Sequence, residues 1–227
     1  VDIIPISRGC VPSCLFCKQA GIREISYPIE QIVYAAKKAV SHGAKEIWLT
    51  SHDTFAYGLD AVGAQATSSL PALLRELTSL PGDFRILLER GNPEHLPRMG
   101  KELLPLLASD KMFHFLHVGA WNEGGKEREN EGGKEKGNER GNEGRNERGK
   151  EGGKESRNEL LSFVEELRRT IPSSTFVLDV AVGDESEEEH WQMTDLIRKL
   201  APEILNFIPL KKMNETVQHR LKVLSDI

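Results

Sequence analysis

Apolar residues along this 227-residue chain fall into two alternating kinds of run. Short, dense runs at residues 3–6, 46–50, 84–88, 113–118, 175–182 and 204–210 have the length and β-branched content of strands. Between them, apolar positions recur at three and four residues, as on one face of a helix. These stretches are residues 28–42, 70–79, 94–108, 159–170 and 187–200, with a last helix from about Glu215. Pro28 suits a first helical turn and Gly43 a helix end. Strands alternating with helices of this length predict βαβ units and a parallel sheet. The fold class is therefore α/β. Six strands fit a partial or full α/β barrel, and a flat doubly wound sheet is the alternative on pattern alone. In either, ligands gather at the carboxyl ends of the strands.

One stretch breaks the pattern. Residues 122–158 contain Glu, Gly, Lys, Arg and Asn with one Ser, and no aliphatic or aromatic side chain. Such a segment buries nothing and cannot repay its ordering entropy, so it is expected to be a disordered insertion. Its ten Glu balance its ten Lys plus Arg, which argues against a dedicated nucleic-acid arm. Lys, Glu, Gly and Arg can all be written with purine-only codons, consistent with an expanded repeat or a translated non-coding stretch.

Composition adds bounds. The net charge of −5 leaves no global basic footprint for nucleic acid. No apolar run approaches the length that spans a bilayer. The opening Val-Asp-Ile-Ile-Pro has no basic leader and no initiator Met, so the chain is expected to be cut from something longer. All three cysteines lie between residues 10 and 17, which argues against a disulfide framework and for a reducing, cytoplasmic compartment.

Those cysteines carry the candidate chemistry. Cys10-Val-Pro-Ser-Cys14-Leu-Phe16-Cys17 puts three thiolates on one tight loop just after the first strand. Three thiolates can each hold one iron of a [4Fe–4S] cube and leave the fourth iron open. An open iron can chelate the amino and carboxylate groups of S-adenosylmethionine, whose reductive cleavage releases a 5′-deoxyadenosyl radical. A structural zinc would need a fourth ligand, and no His lies near. A thioredoxin-like pair would need two cysteines and would open a helix. Inert buried cysteines would not usually crowd into eight residues.

Here the sequence resembles the radical S-adenosylmethionine methylthiotransferases. The resemblance rests on Ile3-Ile-Pro-Ile-Ser-Arg-Gly-Cys10, Ser26-Tyr-Pro-Ile-Glu-Gln-Ile-Val33, Lys45-Glu-Ile-Trp-Leu-Thr-Ser51, Asp53-Thr and Ala56-Tyr-Gly58. It continues through Leu70-Pro-Ala-Leu-Leu74, Asn92-Pro93, Phe115-Leu-His-Val118 and Gln218-His-Arg-Leu-Lys-Val-Leu224. The second strand and its loop look like the eukaryotic and archaeal branch, which modifies N6-threonylcarbamoyladenosine beside the tRNA anticodon. The resemblance implies a partial (β/α)6 radical barrel, split into residues 1–121 and 159–227 by the insertion at 122–158. It implies methylthiolation at C2 of that nucleoside, with a sister activity on a ribosomal-protein side chain as the alternative.

It also implies a three-part enzyme. An N-terminal domain would carry a second [4Fe–4S] cluster, and a C-terminal β-barrel would grip tRNA. An electron donor and a sulfur donor would be further partners. Cys10, Cys14 and Cys17 are the implied cluster ligands. Phe16, Ser51, Asp53, Arg85 and His117 are the implied contacts of the cofactor. No residue is assigned to catalysis.

Several positions admit a plainer reading. Arg85 could pair with a nearby carboxylate, His117 could be a satisfied structural histidine, and Phe16 could anchor its loop. Glu187–Glu189 with His190 reads as an acidic helix start that complements the helix dipole. The sequence also departs from the family pattern. Gly119-Ala-Trp-Asn122 stands where Pro-Val-Gln-Ser-Gly-Ser-Asp is expected, Phe55 replaces a Gly, and only Asp179 and Gly183 survive from the fifth-strand motif. An inactive iron–sulfur fragment or degraded gene copy is therefore the reading from a different class.

Overall fold

The computed structural model describes residues 1–9, 24–60, 69–121, 143–183 and 186–209; for residues 120, 121 and 143–156 only the backbone is described. The elements run β1 (Asp2–Pro5), β2 (Ser7–Arg8), β3 (Ile25–Ser26), α1 (Ile29–Ser41), β4 (Glu46–Thr50), α2 (Leu70–Thr78) and β5 (Arg85–Leu88). They continue with α3 (Leu96–Leu107), β6 (Phe115–Trp121), α4 (Glu143–Thr170), β7 (Thr175–Val182), α5 (Glu187–Leu200) and β8 (Ile204–Pro209). The predicted closing helix falls outside the described residues.

Two parallel sheets form, ordered β1-β4-β5 and β6-β7-β8. Single parallel bridges, Ile86 to Met112 and Gly91 to Val118, stitch β5 to the entry and body of β6. The fold is thus mixed α/β, and among the described residues no sheet closes on itself.

Side chains alternate across each strand, so one set faces the helices and the other faces away. Ile47 and Leu49, Ile86 and Leu88, Leu116 and Val118, and Phe176, Leu178, Val180 and Val182 join one core with the helices. The helices meet it with stripes at three- and four-residue spacing. These are Ile32, Val33, Ala36 and Ala39 in α1, and Leu70, Leu73, Leu74 and Leu77 in α2. In α3 they are Leu96, Met99, Leu103, Leu104 and Leu107. Leu160, Phe163, Val164 and Leu167 in α4, and Met193, Leu196, Ile197 and Leu200 in α5, complete the set. Each such side chain contributes about 1.5 to 3 kcal/mol relative to exposure.

Local signals set the helix ends. Ser69 Oγ accepts from Ala72 N at the start of α2. Ser186 and Glu189 form a capping box at α5, the Ser186 hydroxyl accepting from Glu189 N and the Glu189 carboxylate from Ser186 N. The acidic run Glu187–Glu189 is therefore a helix start, and no metal-binding group of three His, Cys, Asp or Glu exists among the described residues.

The insertion behaves differently from expectation over part of its length. Residues 143–158 are helical, continuous with the apolar turns of α4. Glu, Lys and Arg are good helix formers, and a helix already nucleated by packed residues extends at small cost. Residues 122–142 lie outside the described residues.

Candidate functional site

The cysteine segment leaves and rejoins the described structure at the carboxyl edge of the first sheet. After β1, the chain pairs β2 with β3 antiparallel, Ser7 with Ser26 and Arg8 with Ile25. Gly9 leaves β2 at φ +83°, a turn conformation that suits glycine. This two-rung ladder closes the base of the loop that carries Cys10, Cys14, Phe16 and Cys17, which themselves lie outside the described residues. Ile6 N donates to Thr50 O and Tyr27 N to Ile6 O, both at 2.9 Å, so the ladder is fixed to β4.

The segment after β4 clamps the returning strand. Asp60 accepts from Ser26 N at 3.0 Å and Ser26 Oγ at 2.6 Å, and Gly58 N donates to Ser26 Oγ at 2.8 Å. The buried Tyr57 hydroxyl donates to Tyr27 O at 2.7 Å. Asp53 is a joint within the same segment. Its Oδ1 accepts from Phe55 N at 3.1 Å and Asn92 N at 2.9 Å, and its Oδ2 lies 3.2 Å from buried His95 Nε2. That last contact is close in distance but lacks hydrogen-bond alignment.

Beside this clamp, several buried polar atoms have no protein partner of ordinary hydrogen-bond geometry. They include Ser7 Oγ, both carboxyl oxygens of Glu24, and Ser51 Oγ. Burial pushes the Glu24 carboxyl up to about 7. The neighbouring Ser7 hydroxyl draws it back, Asp53 and Asp60 raise it further, and His95 lowers it. Leaving such groups unpaired is costly, so their concentration at one sheet edge marks a place built for a polar partner.

The second sheet presents a different arrangement on the face opposite the helices. Asp179 of β7 accepts from Asn206 Nδ2 on β8 at 2.9 Å and pairs with His117 Nε2 on β6 at 2.8 Å. Its other oxygen accepts from Arg90 Nη1 at 3.3 Å. Burial alone would raise the Asp179 carboxyl, but His117, Asn206 and Arg90 hold it below the usual carboxylate range. Because an ionised carboxylate only accepts, Nε2 is the protonated nitrogen of His117.

These positions sort the expected contacts. Ser51 and Asp53 stand at the carboxyl edge, Ser51 with a buried hydroxyl and Asp53 with Oδ1 held by two backbone amides and Oδ2 beside His95. His117 lies on the second sheet, tied to Asp179. Arg85 opens β5, at the strand's amino end, where its guanidinium sits 5.8 Å over the Phe113 ring. Arg90 and Glu24 emerge from the structure alone. Arg90 follows β5 in Glu89-Arg90-Gly91-Asn92, a stretch with no periodic signal. Glu24 is one acidic residue before a two-residue strand.

The fold and the sequence were compared with known proteins. No protein-family model matches the chain. A radical S-adenosylmethionine methyltransferase, TsrM from Kitasatospora setae, solved with cobalamin and a [4Fe–4S] cluster, superposes with a TM-score of 0.58 at 17% identity. The match covers 92% of this chain and 36% of that one. SuiB from Streptococcus suis, bound to S-adenosylmethionine, gives 0.52 at 10% identity, over 99% of this chain and 45% of that one. The fold is therefore that of radical S-adenosylmethionine enzymes.

The sequence narrows the class. A probable threonylcarbamoyladenosine tRNA methylthiotransferase of Archaeoglobus fulgidus is 32% identical over 98% of this chain and 48% of its own length. Its counterpart in Pyrococcus abyssi is 30% identical over 90% and 43%. The threonylcarbamoyladenosine tRNA methylthiotransferase of Danio rerio is 37% identical over 52% of this chain and 21% of its own length. The resemblance to the radical S-adenosylmethionine methylthiotransferases is borne out, and the chain spans about half the length of the archaeal relatives.

Proposed function

We propose that this chain is the radical module of a tRNA methylthiotransferase acting at C2 of N6-threonylcarbamoyladenosine, in the cytoplasm. The observation that carries the reading is the cysteine segment, whose two ends are joined by β2 and β3, at a sheet edge where Ser7, Glu24 and Ser51 bury polar atoms with no well-aligned hydrogen bond among the described residues. Three thiolates are the donor set of a site-differentiated [4Fe–4S] cluster, and they are all the cysteines of the chain. When bound, the cluster and S-adenosylmethionine supply a carbon-centred radical.

The rest is done by this chain's own residues. Cys10, Cys14 and Cys17 would hold iron. Glu24 and Ser51 offer acceptors, and Ser51 also a donor, to the polar groups of the cofactor, and Phe16 of the cysteine segment would contact it. The Asp53 joint and the Asp60–Ser26 clamp keep the loop in register with β4. The two sheets would form a partial barrel, with Asp179, His117 and Arg90 on its substrate side. A second cluster, a tRNA-gripping domain, an electron donor and a sulfur donor would complete the reaction outside this chain.

Gly119-Ala120-Trp121 continues β6 where the family pattern turns into a polar loop, which favours the inactive iron–sulfur alternative. One experiment separates the readings. The chain is reconstituted with iron and sulfide, reduced with dithionite and given S-adenosylmethionine and threonylcarbamoylated tRNA, and products are read by mass spectrometry. The expected result is about four irons per chain, slow release of 5′-deoxyadenosine, and loss of both in Cys14→Ala. The methylthio nucleoside is expected only when the remaining domains are supplied. Iron without any deoxyadenosine would establish the inactive alternative, and full iron in Cys14→Ala would refute the ligand assignment.

A further inference from the structure

Arg90 is held at three points and still leaves donors to spare. Its backbone is pinned where β5 runs on towards β6: Gly91 N donates to His117 O at 3.1 Å, Gly119 N to Gly91 O at 2.8 Å, and Thr54 N to Arg90 O at 3.0 Å. Its stem crosses Gly119, where an added Cβ would stand 3.2 Å from Arg90 Cδ and 3.3 Å from Cγ. Its head meets Asp179. A guanidinium has five N–H donors in a rigid fork. Among the described residues only the Nη1 contact to Asp179, at 3.3 Å, is made. The Arg90 side chain is 45% exposed while its partner Asp179 is 5% exposed. Asp179 shares its charge among His117, Asn206 and Arg90, so it aims the guanidinium without saturating it.

An oriented, half-exposed fork on the face opposite the helices, next to the carboxyl ends of β5 and β6, matches a planar anion. We propose that Arg90 binds a carboxylate of the reactants, and that this carboxylate is the threonyl carboxylate of the nucleoside. The assignment rests on the proposed substrate: a threonine joined to the base through a carbamoyl group keeps a free carboxylate, whereas unmodified adenosine has none. S-adenosylmethionine carries a carboxylate too, so the same chemistry has a second source. The fork is then a specificity device, since a buried or aimed charge left without its partner penalises the wrong ligand more than the right contact rewards the correct one.

The test is equilibrium binding by calorimetry to the cluster-reconstituted 227-residue chain. Threonylcarbamoyladenosine is compared with its methyl ester, and S-adenosylmethionine with its decarboxylated form. The chain should prefer the acid over the ester by about tenfold, as one charge-assisted hydrogen-bond pair implies. Arg90→Gln should reduce that preference to less than about twofold, leave ester binding unchanged, and keep the preference for intact S-adenosylmethionine. Arg90→Lys should restore part of it, and unchanged ester binding shows that both variants are folded. Retention of the full preference in Arg90→Gln, or equal binding of acid and ester by the unsubstituted chain, would overturn the proposal. Loss of discrimination for S-adenosylmethionine alone would move Arg90 to the cofactor and overturn the nucleoside assignment. Binding of neither nucleoside, with S-adenosylmethionine still bound, would remove the substrate reading on which the assignment stands.

Discussion

The two sheets of this protein treat buried charge in opposite ways. Around the carboxyl edge of β1 and β4, Glu24 is buried with the neighbouring Ser7 hydroxyl and His95 opposing its desolvation, and Ser7, Glu24 and Ser51 make no well-aligned side-chain hydrogen bond among the described residues. On β6 to β8, Asp179 is as deeply buried, yet both its oxygens are engaged by His117, Asn206 and Arg90. The physical consequence is a split in preorganisation. The Asp179 carboxylate is satisfied by the chain itself, while the Glu24 carboxyl needs something polar to complete it. The cysteine segment, which would hold a charged cluster and a zwitterionic cofactor, joins β2 to β3 in sequence, in the half that holds Glu24.

The largest effect is expected at Asp179. Replacing it by Ala strips three donors of their acceptor and leaves Arg90 and His117 facing one another. Because Arg90 is half-exposed, the loss is that of hydrogen bonds to a charged acceptor rather than of a fully buried pair, on the order of 2–3 kcal/mol. Asp179→Asn keeps the hydrogen bonds to a neutral oxygen and should cost less. Urea unfolding checks both, and a loss below about 1 kcal/mol for the Ala variant would mean that the network does not hold the second sheet.

The matching test on the first sheet has the opposite sign. Glu24 is raised from 4.5 to about 7 by burial first, with Asp53 and Asp60 adding to it and Ser7 and His95 opposing. A carboxyl raised in the fold keeps its proton longer there than in the unfolded chain. Its contribution is therefore most favourable below about 4.5 and declines as pH rises to about 7, then stays flat. Glu24→Gln removes the ionisation without changing shape. The variant should gain on the order of 2 kcal/mol over the parent at pH 8 and little at pH 4.5, read from unfolding midpoints. An equal effect at both pH values would show that Glu24 carries no such penalty.

The elements that frame this contrast were legible in the sequence. The strand–helix alternation predicted β1, β4 to β8 and α1 to α5, because each buries a periodic apolar face that only one kind of element can present. Shorter-range features were not. The β2–β3 ladder has two residues per strand and no period to read. Asp53 drew attention because it follows a strand; that its Oδ1 joins Phe55 N to Asn92 N, 39 residues away in sequence, could not be read from the chain. Arg90 acquires meaning only from the parallel registers that bring β5, β6 and β7 side by side. Arg85 lies at the amino end of β5 with its guanidinium over the Phe113 ring, a pairing the sequence does not display.

The seam between the halves can be tested by steric compensation. Phe55, where the family pattern has Gly, is fully buried against Gly91, and a Cβ on Gly91 would come within 2.1 to 2.5 Å of its ring. Gly91→Ala should therefore cost about 1–3 kcal/mol by overpacking. Phe55→Leu together with Gly91→Ala should recover part of that loss, a coupling that a double-mutant cycle measures. Additive costs would show that the ring does not depend on the missing side chain.

The smallest effect is expected where the chain is most conspicuous. Residues 122–158 contain no aliphatic or aromatic side chain, so removing them exposes no apolar core. What they contribute is helix in residues 143–158, joined to α4. That part is rich in Glu, Lys and Arg but interrupted by glycines, each unfavourable by about 1 kcal/mol relative to Ala, so its net helical stability is close to zero. The side chains that hold α4 against the core, from Leu160 to Leu167, lie beyond the deletion. Joining residue 121 to 159 through a short Gly-Ser linker should therefore change the unfolding free energy by less than about 0.5 kcal/mol, since loop-closure entropy depends only weakly on length. A fall of several degrees in melting temperature would show that the charged stretch packs on the domain, and would extend the self-satisfied half of the molecule to include it.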